Sequence, residues 1–311
     1  MLANPEIQLF AFAFPGIGTK FCGHESSFYL RHKQTIDPFL VEASEYAKAD
    51  LFAPLLQGTK PTWVEELDHL FTYSFNCGVA SAFAKCGFEP TVTAGYSLGL
   101  YSALFSSGAI SFSGGLAITR TAYLMMKDDC TNKQFGMAAV VGLKQNEVEN
   151  ILTDPVLGSV QLVNSNNAAS KIFAGYKSEL EILLNHAQAR GSFKAVLLDV
   201  AVPYHHPVFL KKTSQRFGSF LQTLKWMEPK YPVISSIDQT ILQGKDELLT
   251  FTQHNISTPI NWEAVVEKLT AIKIQTVLEC GPGVLLSQNS RMIPLSPRFI
   301  NIKNCQKRLG I

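Results

Sequence analysis

A short β-prone run enters a Gly-x-Ser-x-Gly turn and leaves it as an apolar helix, and a β-α-β-β-α-β succession fills the middle of the chain. Together these predict an α/β fold: an α/β-hydrolase-like core with a parallel sheet, plus an inserted ferredoxin-like α+β subdomain. A third observation sets the borders. Asp128-Asp129-Cys130-Thr131-Asn132-Lys133 is a polar break, and the core pattern resumes near residue 200. We therefore assign residues 1–129 and 201–311 to the core and 130–200 to the subdomain.

The turn is Thr93-Ala94-Gly95-Tyr96-Ser97-Leu98-Gly99. A strand from Glu89 to Ala94 must bend sharply into a helix starting at Leu98, with Ser97 at the tight point. Side chains at Gly95 and Gly99 would collide with the turn or the helix. The bend exposes the Ser97 hydroxyl and aims it at a helix N-terminus, where free N–H groups favour developing negative charge.

The other elements follow in order. Gln8 to Phe14 reads as a buried first strand. Pro15-Gly16-Ile17-Gly18-Thr19-Lys20 then breaks it. A phosphate cradle would need more glycines and a Lys followed by Ser or Thr. The alternative is a loop whose N–H groups face a neighbouring site. Ser27–Leu56 and Trp63–Cys86 carry helical patterns, as do Leu98–Ser107 and Phe112–Lys127. In the middle, strands are predicted at Gly136–Leu143, Val160–Asn164, Lys171–Gly175 and Ala195–Val200. Helices at Asn146–Leu152 and Lys177–Arg190 separate them. Two later strands, Tyr231–Ser236 and Gln275–Cys280, return to the core, the second running into the tight turn Gly281-Pro282-Gly283.

Composition bounds the function. With 311 residues, 46% hydrophobic and 17% charged, the chain can build a large core. A net charge of +2 and no long basic run give no nucleic-acid signal. No apolar stretch reaches membrane-spanning length, and Met1-Leu2-Ala3-Asn4-Pro5-Glu6 lacks the pattern of a secretory signal. The six cysteines show no metal-ligand spacing and read as reduced thiols of a cytoplasmic protein. We expect no bound metal and a monomer.

A serine nucleophile needs a base. Of seven histidines, His205 and His206 stand out in Val202-Pro203-Tyr204-His205-His206-Pro207, a loop between a strand and a helix. The alternative is a pair of surface histidines in a turn.

In order along nearly the whole chain, these stretches resemble the malonyl-CoA:acyl-carrier-protein transacylase family and the related acyltransferase domains of polyketide synthases. Phe14-Pro15-Gly16-Ile17-Gly18 resembles the family's Phe-Pro-Gly-Gln-Gly loop, with Ile17 for Gln. Gly95-Tyr96-Ser97-Leu98-Gly99 resembles Gly-His-Ser-Leu-Gly, with Tyr96 for His. Gly136–Leu143, Asn164-Ser165-Asn166-Asn167 with Ala174-Gly175, Pro259-Ile260-Asn261-Trp262 and Glu279-Cys280-Gly281-Pro282-Gly283 match further family segments. The Val-Pro-Tyr-His match puts the catalytic position on His205.

The resemblance implies a ping-pong acyl transfer on acyl-CoA or acyl-carrier-protein thioesters, with no bound cofactor. Ser97 is the implied nucleophile, His205 its base, and the N–H groups of Ile17 and Leu98 the oxyanion hole. Tyr96, Ala122 and Asn166 are implied for the substrate pocket. Backbone carbonyls orient the base in this family, so a missing acid is expected. The implied partner is an acyl carrier protein, in polyketide or fatty-acid biosynthesis.

One departure matters. Members that take malonyl groups carry an arginine about twenty-five residues after the serine, which grips the free carboxylate. Here that register gives Ala122. Arg120 lies two residues away, about 200° around a helix, and should face elsewhere. A non-carboxylated acyl group is therefore expected. An acyl hydrolase of the same fold, an ordinary malonyl transacylase and a non-catalytic docking partner are the alternatives.

Overall fold

The computed structural model describes residues 9–59, 63–131 and 133–311. The expectations placed on Met1–Glu6, Gln8 and Asn132 lie outside the described residues.

The first strand, β1 (Phe10–Phe14), alternates bulky and small side chains, and the alternation decides what packs on each face of its sheet. Phe12 and Phe14 join the larger core cluster, with the apolar residues of the helix Glu65–Lys85. That helix is buried without a break from His69 to Ala80, as expected of a core helix apolar on nearly every side. Ala11 and Ala13 join a second cluster with Trp262, Val265, Val266 and Leu269 of the helix Trp262–Ala271. Small residues on that face let this helix lie close to the sheet.

β2 (Val92–Gly95) follows, then the four strands of the insert: β3 (Phe135–Val141), β4 (Gln161–Asn167), β5 (Ser170–Tyr176) and β6 (Lys194–Leu198). Beyond them come β7 (Val233–Ile234), β8 (Ile241–Leu242), β9 (Ile260–Asn261), β10 (Thr276–Glu279) and β11 (Arg298–Ile300). The main sheet runs β11-β10-β1-β2-β7-β8. All its pairings are parallel except β7–β8. β1 and β2 are neighbours at the centre, so the loops leaving their C-terminal ends emerge side by side, where open α/β sheets place ligands.

The insert forms the sheet β6-β3-β5-β4-β9. Helices Gln145–Leu152 and Lys177–Ala189 complete the β-α-β-β-α-β order and close a separate apolar cluster. β9 comes from well past residue 200 and pairs in parallel with β4, so the core segment supplies the last strand of the insert's sheet.

The sequence reading is coarser than the structure in two places. Ser27–Leu56 resolves into three helices, Glu25–Arg31, Lys33–Ala47 and Ala53–Gln57. Lys48 stops the second with a φ of 53°. Tyr231–Ser236 shortens to Val233–Ile234, because Pro232 has no N–H and Ser235 turns the chain through bonds from Ile237 and Asp238 N–H.

Candidate active site

β2 delivers the chain into Tyr96-Ser97-Leu98, and the helix Gly99–Ser106 leaves it. Ser97 sits at φ 54°, a left-handed conformation held by its surroundings. The two glycines are needed for contact reasons. A Cβ on Gly95 would stand 2.2 Å from the Leu100 nitrogen, and one on Gly99 would stand 2.0 Å from the Phe14 carbonyl oxygen. The elbow is therefore clamped between its own helix and the end of β1.

His205 meets it from the other core segment. Ser97 Oγ and His205 Nε2 are 2.8 Å apart. His205 Nδ1 lies 2.6 Å from the Asn255 carbonyl oxygen, which makes Nδ1–H the donor and leaves Nε2 to accept the Ser97 hydroxyl proton. The His205 N–H donates to the Ile256 carbonyl at 3.1 Å, and the residue takes φ 64°. Asn255 also reaches the Ser97 carbonyl through Nδ2 at 3.4 Å. One short stretch, 255–256, thus holds both partners. Burial pushes the His205 imidazole down to about 4, so it is neutral at pH 7.

His206 points elsewhere. Its Nε2 donates to the Ser159 carbonyl at 2.8 Å, its Nδ1 accepts from Phe209 N–H at 3.1 Å, and its ring stacks on Phe209. It ties the histidine loop to the insert.

The loop after β1 packs against the elbow. Asn76 Nδ2 donates to the Pro15 carbonyl, and a Cβ on Gly16 would stand 2.9 Å from the Tyr96 carbonyl oxygen. The late Gly281-Pro282-Gly283 turn supports this loop. Buried Glu25 accepts from both Cys22 N–H and Gly283 N–H. A Cβ on Gly281 would strike Asn76 and Pro15. Ile17 and Leu98 both border the space in front of Ser97. Neither N–H donates to another group among the described residues.

That space is a narrow cavity of about 350 Å³ counted to its mouth. Ser97, His205 and Ala122 line it, together with Met126, Tyr101, His69 and Tyr204. No Lys, Arg, Asp or Glu is among its lining residues. Arg120 turns outward, pairing with Glu66 at 2.7 Å and lying over the Tyr46 ring. Tyr96 and Asn166 are outside the lining and bond to each other at 2.8 Å, with Asn164 Nδ2 donating to the Tyr96 hydroxyl. They join the elbow to β4.

Sequence reasoning did not single out His69, Tyr101 or Tyr204. Tyr101 was legible as the residue one turn beyond Ser97, and Tyr204 as the neighbour of His205. His69 carried no signal, being a polar side chain on an almost wholly buried helix. Its Nε2 lies 3.0 Å from the Tyr204 hydroxyl, which donates to Glu65 at 2.7 Å. No cluster of three potential metal-binding side chains occurs among the described residues. No helix there is long and apolar enough to cross a membrane.

No protein-family model matches the chain. Curated relatives do. The chain is 27% identical over 288 residues to the malonyl CoA-acyl carrier protein transacylase of Bacillus subtilis, covering 89% of this chain and 88% of that one. It is 26% identical over 285 residues to the protein of that name from Buchnera aphidicola, covering 89% and 90%. Among solved structures, the acyl-carrier-protein S-malonyltransferase of Burkholderia pseudomallei superposes with a TM-score of 0.88 at 25% identity, over 98% of this chain and all of that one. The malonyl-CoA:acyl carrier protein transacylase of Xanthomonas oryzae gives 0.85 at 27% identity, over 95% and 94%. In its fold, its motif order and the serine–histidine pair they bring together, the chain is similar over nearly its whole length to the malonyl-CoA:acyl-carrier-protein transacylases, which are acyltransferases.

Proposed function

We propose that the protein moves an uncharged acyl group between thiols through an acyl-Ser97 intermediate. The observation that carries this is the Ser97 Oγ–His205 Nε2 contact of 2.8 Å, set at a narrow cavity lined by no arginine or lysine. His205 Nε2 takes the Ser97 proton as Oγ attacks the thioester carbonyl. The N–H groups of Ile17 and Leu98 hold the oxyanion, and their strength does not depend on the side chain at position 17. Collapse expels the first thiol, to which His205 returns the proton. A second thiol then attacks the acyl-serine by the same route. The names of the relatives point to the phosphopantetheine arm of an acyl carrier protein as that acceptor.

The acyl group is where the supports divide. A buried carboxylate needs a charged or multiply bonding partner, and Ala122 offers none. The relatives' names favour malonyl, and that is the second reading. The test is intact-mass analysis after exposure to acetyl-, propionyl- and malonyl-CoA, followed by addition of a free-thiol acceptor, holo acyl carrier protein. The wild type is expected to gain one acyl mass and lose it to the carrier, while Ser97→Ala gains none. A Ser97→Ala protein that still acquires the acyl mass would remove Ser97 from the reaction. Release of free acid with no carrier acylation would make the protein a hydrolase.

A further inference from the structure

We propose that Tyr101 is a specificity-determining residue whose hydroxyl selects a short, neutral acyl group carrying an oxygen on its chain, such as a hydroxyacyl group. The inference rests on the acyl-Ser97 reading above.

Tyr101 lies in the first turn of the helix Gly99–Ser106 that leaves the Ser97 elbow. It lines the cavity with Ser97 and Ala122, and its residue is only 4% exposed. The other aromatic and imidazole groups there are engaged. His69 is bonded to Tyr204, and Tyr204 to Glu65. The Tyr101 hydroxyl lies near that of Tyr204 but makes no hydrogen bond to a protein group among the described residues, and it is not sealed from the cavity. A phenol that borders a mostly apolar cavity without a protein partner keeps its donor available to a ligand oxygen. Burial also pushes this phenol well up, so it stays protonated and remains a donor.

The rest of the cavity sets the class of ligand. Ala122 and Met126 supply apolar wall, no cation is present to balance a carboxylate, and the room is small. A neutral chain of two to four carbons, roughly, with one oxygen reaching Tyr101 satisfies the donor and strands no charge. A site built to bond such an oxygen discriminates against the analogue that lacks it, because its own polar group is then left unpaired.

The experiment uses isosteric pairs. Glycolyl- and propionyl-CoA compete for the whole enzyme, as do 3-hydroxypropionyl- and butyryl-CoA, and acyl-Ser97 is quantified by intact mass at early times. Wild type is expected to favour the hydroxyacyl member about tenfold, the effect of one neutral hydrogen bond. In Tyr101→Phe, which removes only the oxygen, the ratio should fall to near one. Equal use of both members by wild type, or a ratio that Tyr101→Phe leaves unchanged, would overturn the inference while acylation itself stands; the hydroxyl would then be satisfied by water. Malonyl-CoA outcompeting all four would overturn it too. Failure of every thioester to acylate Ser97 would overturn the acyl-serine reading and this inference with it.

Discussion

Two adjacent histidines of the same loop have opposite surroundings, and each side chain's bonds decide its use. His205 aims Nε2 at Ser97 and anchors Nδ1 on a carbonyl. His206 spends both nitrogens on backbone groups. His205→Ala is therefore expected to lower the rate of Ser97 acylation by about 10²–10⁴-fold with little change in melting temperature. His206→Ala should do the reverse, lowering stability by about 1–2 kcal/mol with a smaller effect on rate. Single-turnover acylation and thermal melts, run on both variants, separate the two roles; the opposite ranking of rates would move the base to His206. The same burial sets a pH signature. Because the His205 imidazole titrates near 4 rather than 6.5, acylation should stay flat from about pH 8 down to about pH 5.5 and fall only below it. Between pH 6.5 and 4 the unfolded chain binds a proton that folded His205 does not, so folding weakens as the pH drops through that window. An acylation midpoint at pH 6.5 would show an imidazole open to solvent.

At the scale of elements, the elbow depends on neighbours far away in sequence. β1 and β2 pair in register with Phe14 opposite Gly95, which puts the Phe14 carbonyl where Gly99 must pass. Gly99→Ala would press a methyl group into that carbonyl, so it is expected to destabilise the protein by about 2–4 kcal/mol and to abolish acylation, as read by urea unfolding and intact mass. A stable, active Gly99→Ala protein would mean that β1 and the helix can separate. This much was legible from sequence, because Gly-x-Ser-x-Gly is local chemistry and its steric demand falls within five residues. The support given by Gly281 and Gly283 was not. Those glycines read only as a tight turn, and their function is contact with Asn76, Pro15 and Lys20, more than two hundred residues earlier. Tyr96 shows the same limit. Its place beside the nucleophile suggested the pocket wall, whereas its hydroxyl is held by Asn164 and Asn166 of the insert and its ring meets Trp262 edge-on. Which way a side chain turns at a bend depends on what the rest of the fold offers it.

The whole molecule assembles the cavity from separate stretches: the loop after β1, the helices Glu65–Lys85, Gly99–Ser106 and Phe112–Cys130, the histidine loop and residues 255–256. Its charge is thus a property of the fold, and it can be read against the family. The gapless count from Ser97 places Ala122 at the cavity, and helical geometry sends Arg120 to Glu66 on the surface. A malonyl carboxylate entering here would shed its water and find no fork of donors. Losing one charge-assisted bond, about 1.5–3 kcal/mol, corresponds to roughly ten- to a hundredfold in rate. In competition at equal concentrations, acetyl-CoA is therefore expected to acylate Ser97 in preference to malonyl-CoA by that factor. Ala122→Arg should shift the ratio towards malonyl, and Met126 beside it, being flexible, is the side chain best able to make room. Dominant malonyl-Ser97 in the unaltered protein would leave His69 as the group to pursue, since apart from His205 it is the one lining side chain able to carry a positive charge. A His69→Gln variant that lost malonyl preference while keeping acetyl transfer would then establish malonyl transfer by a histidine in place of the arginine.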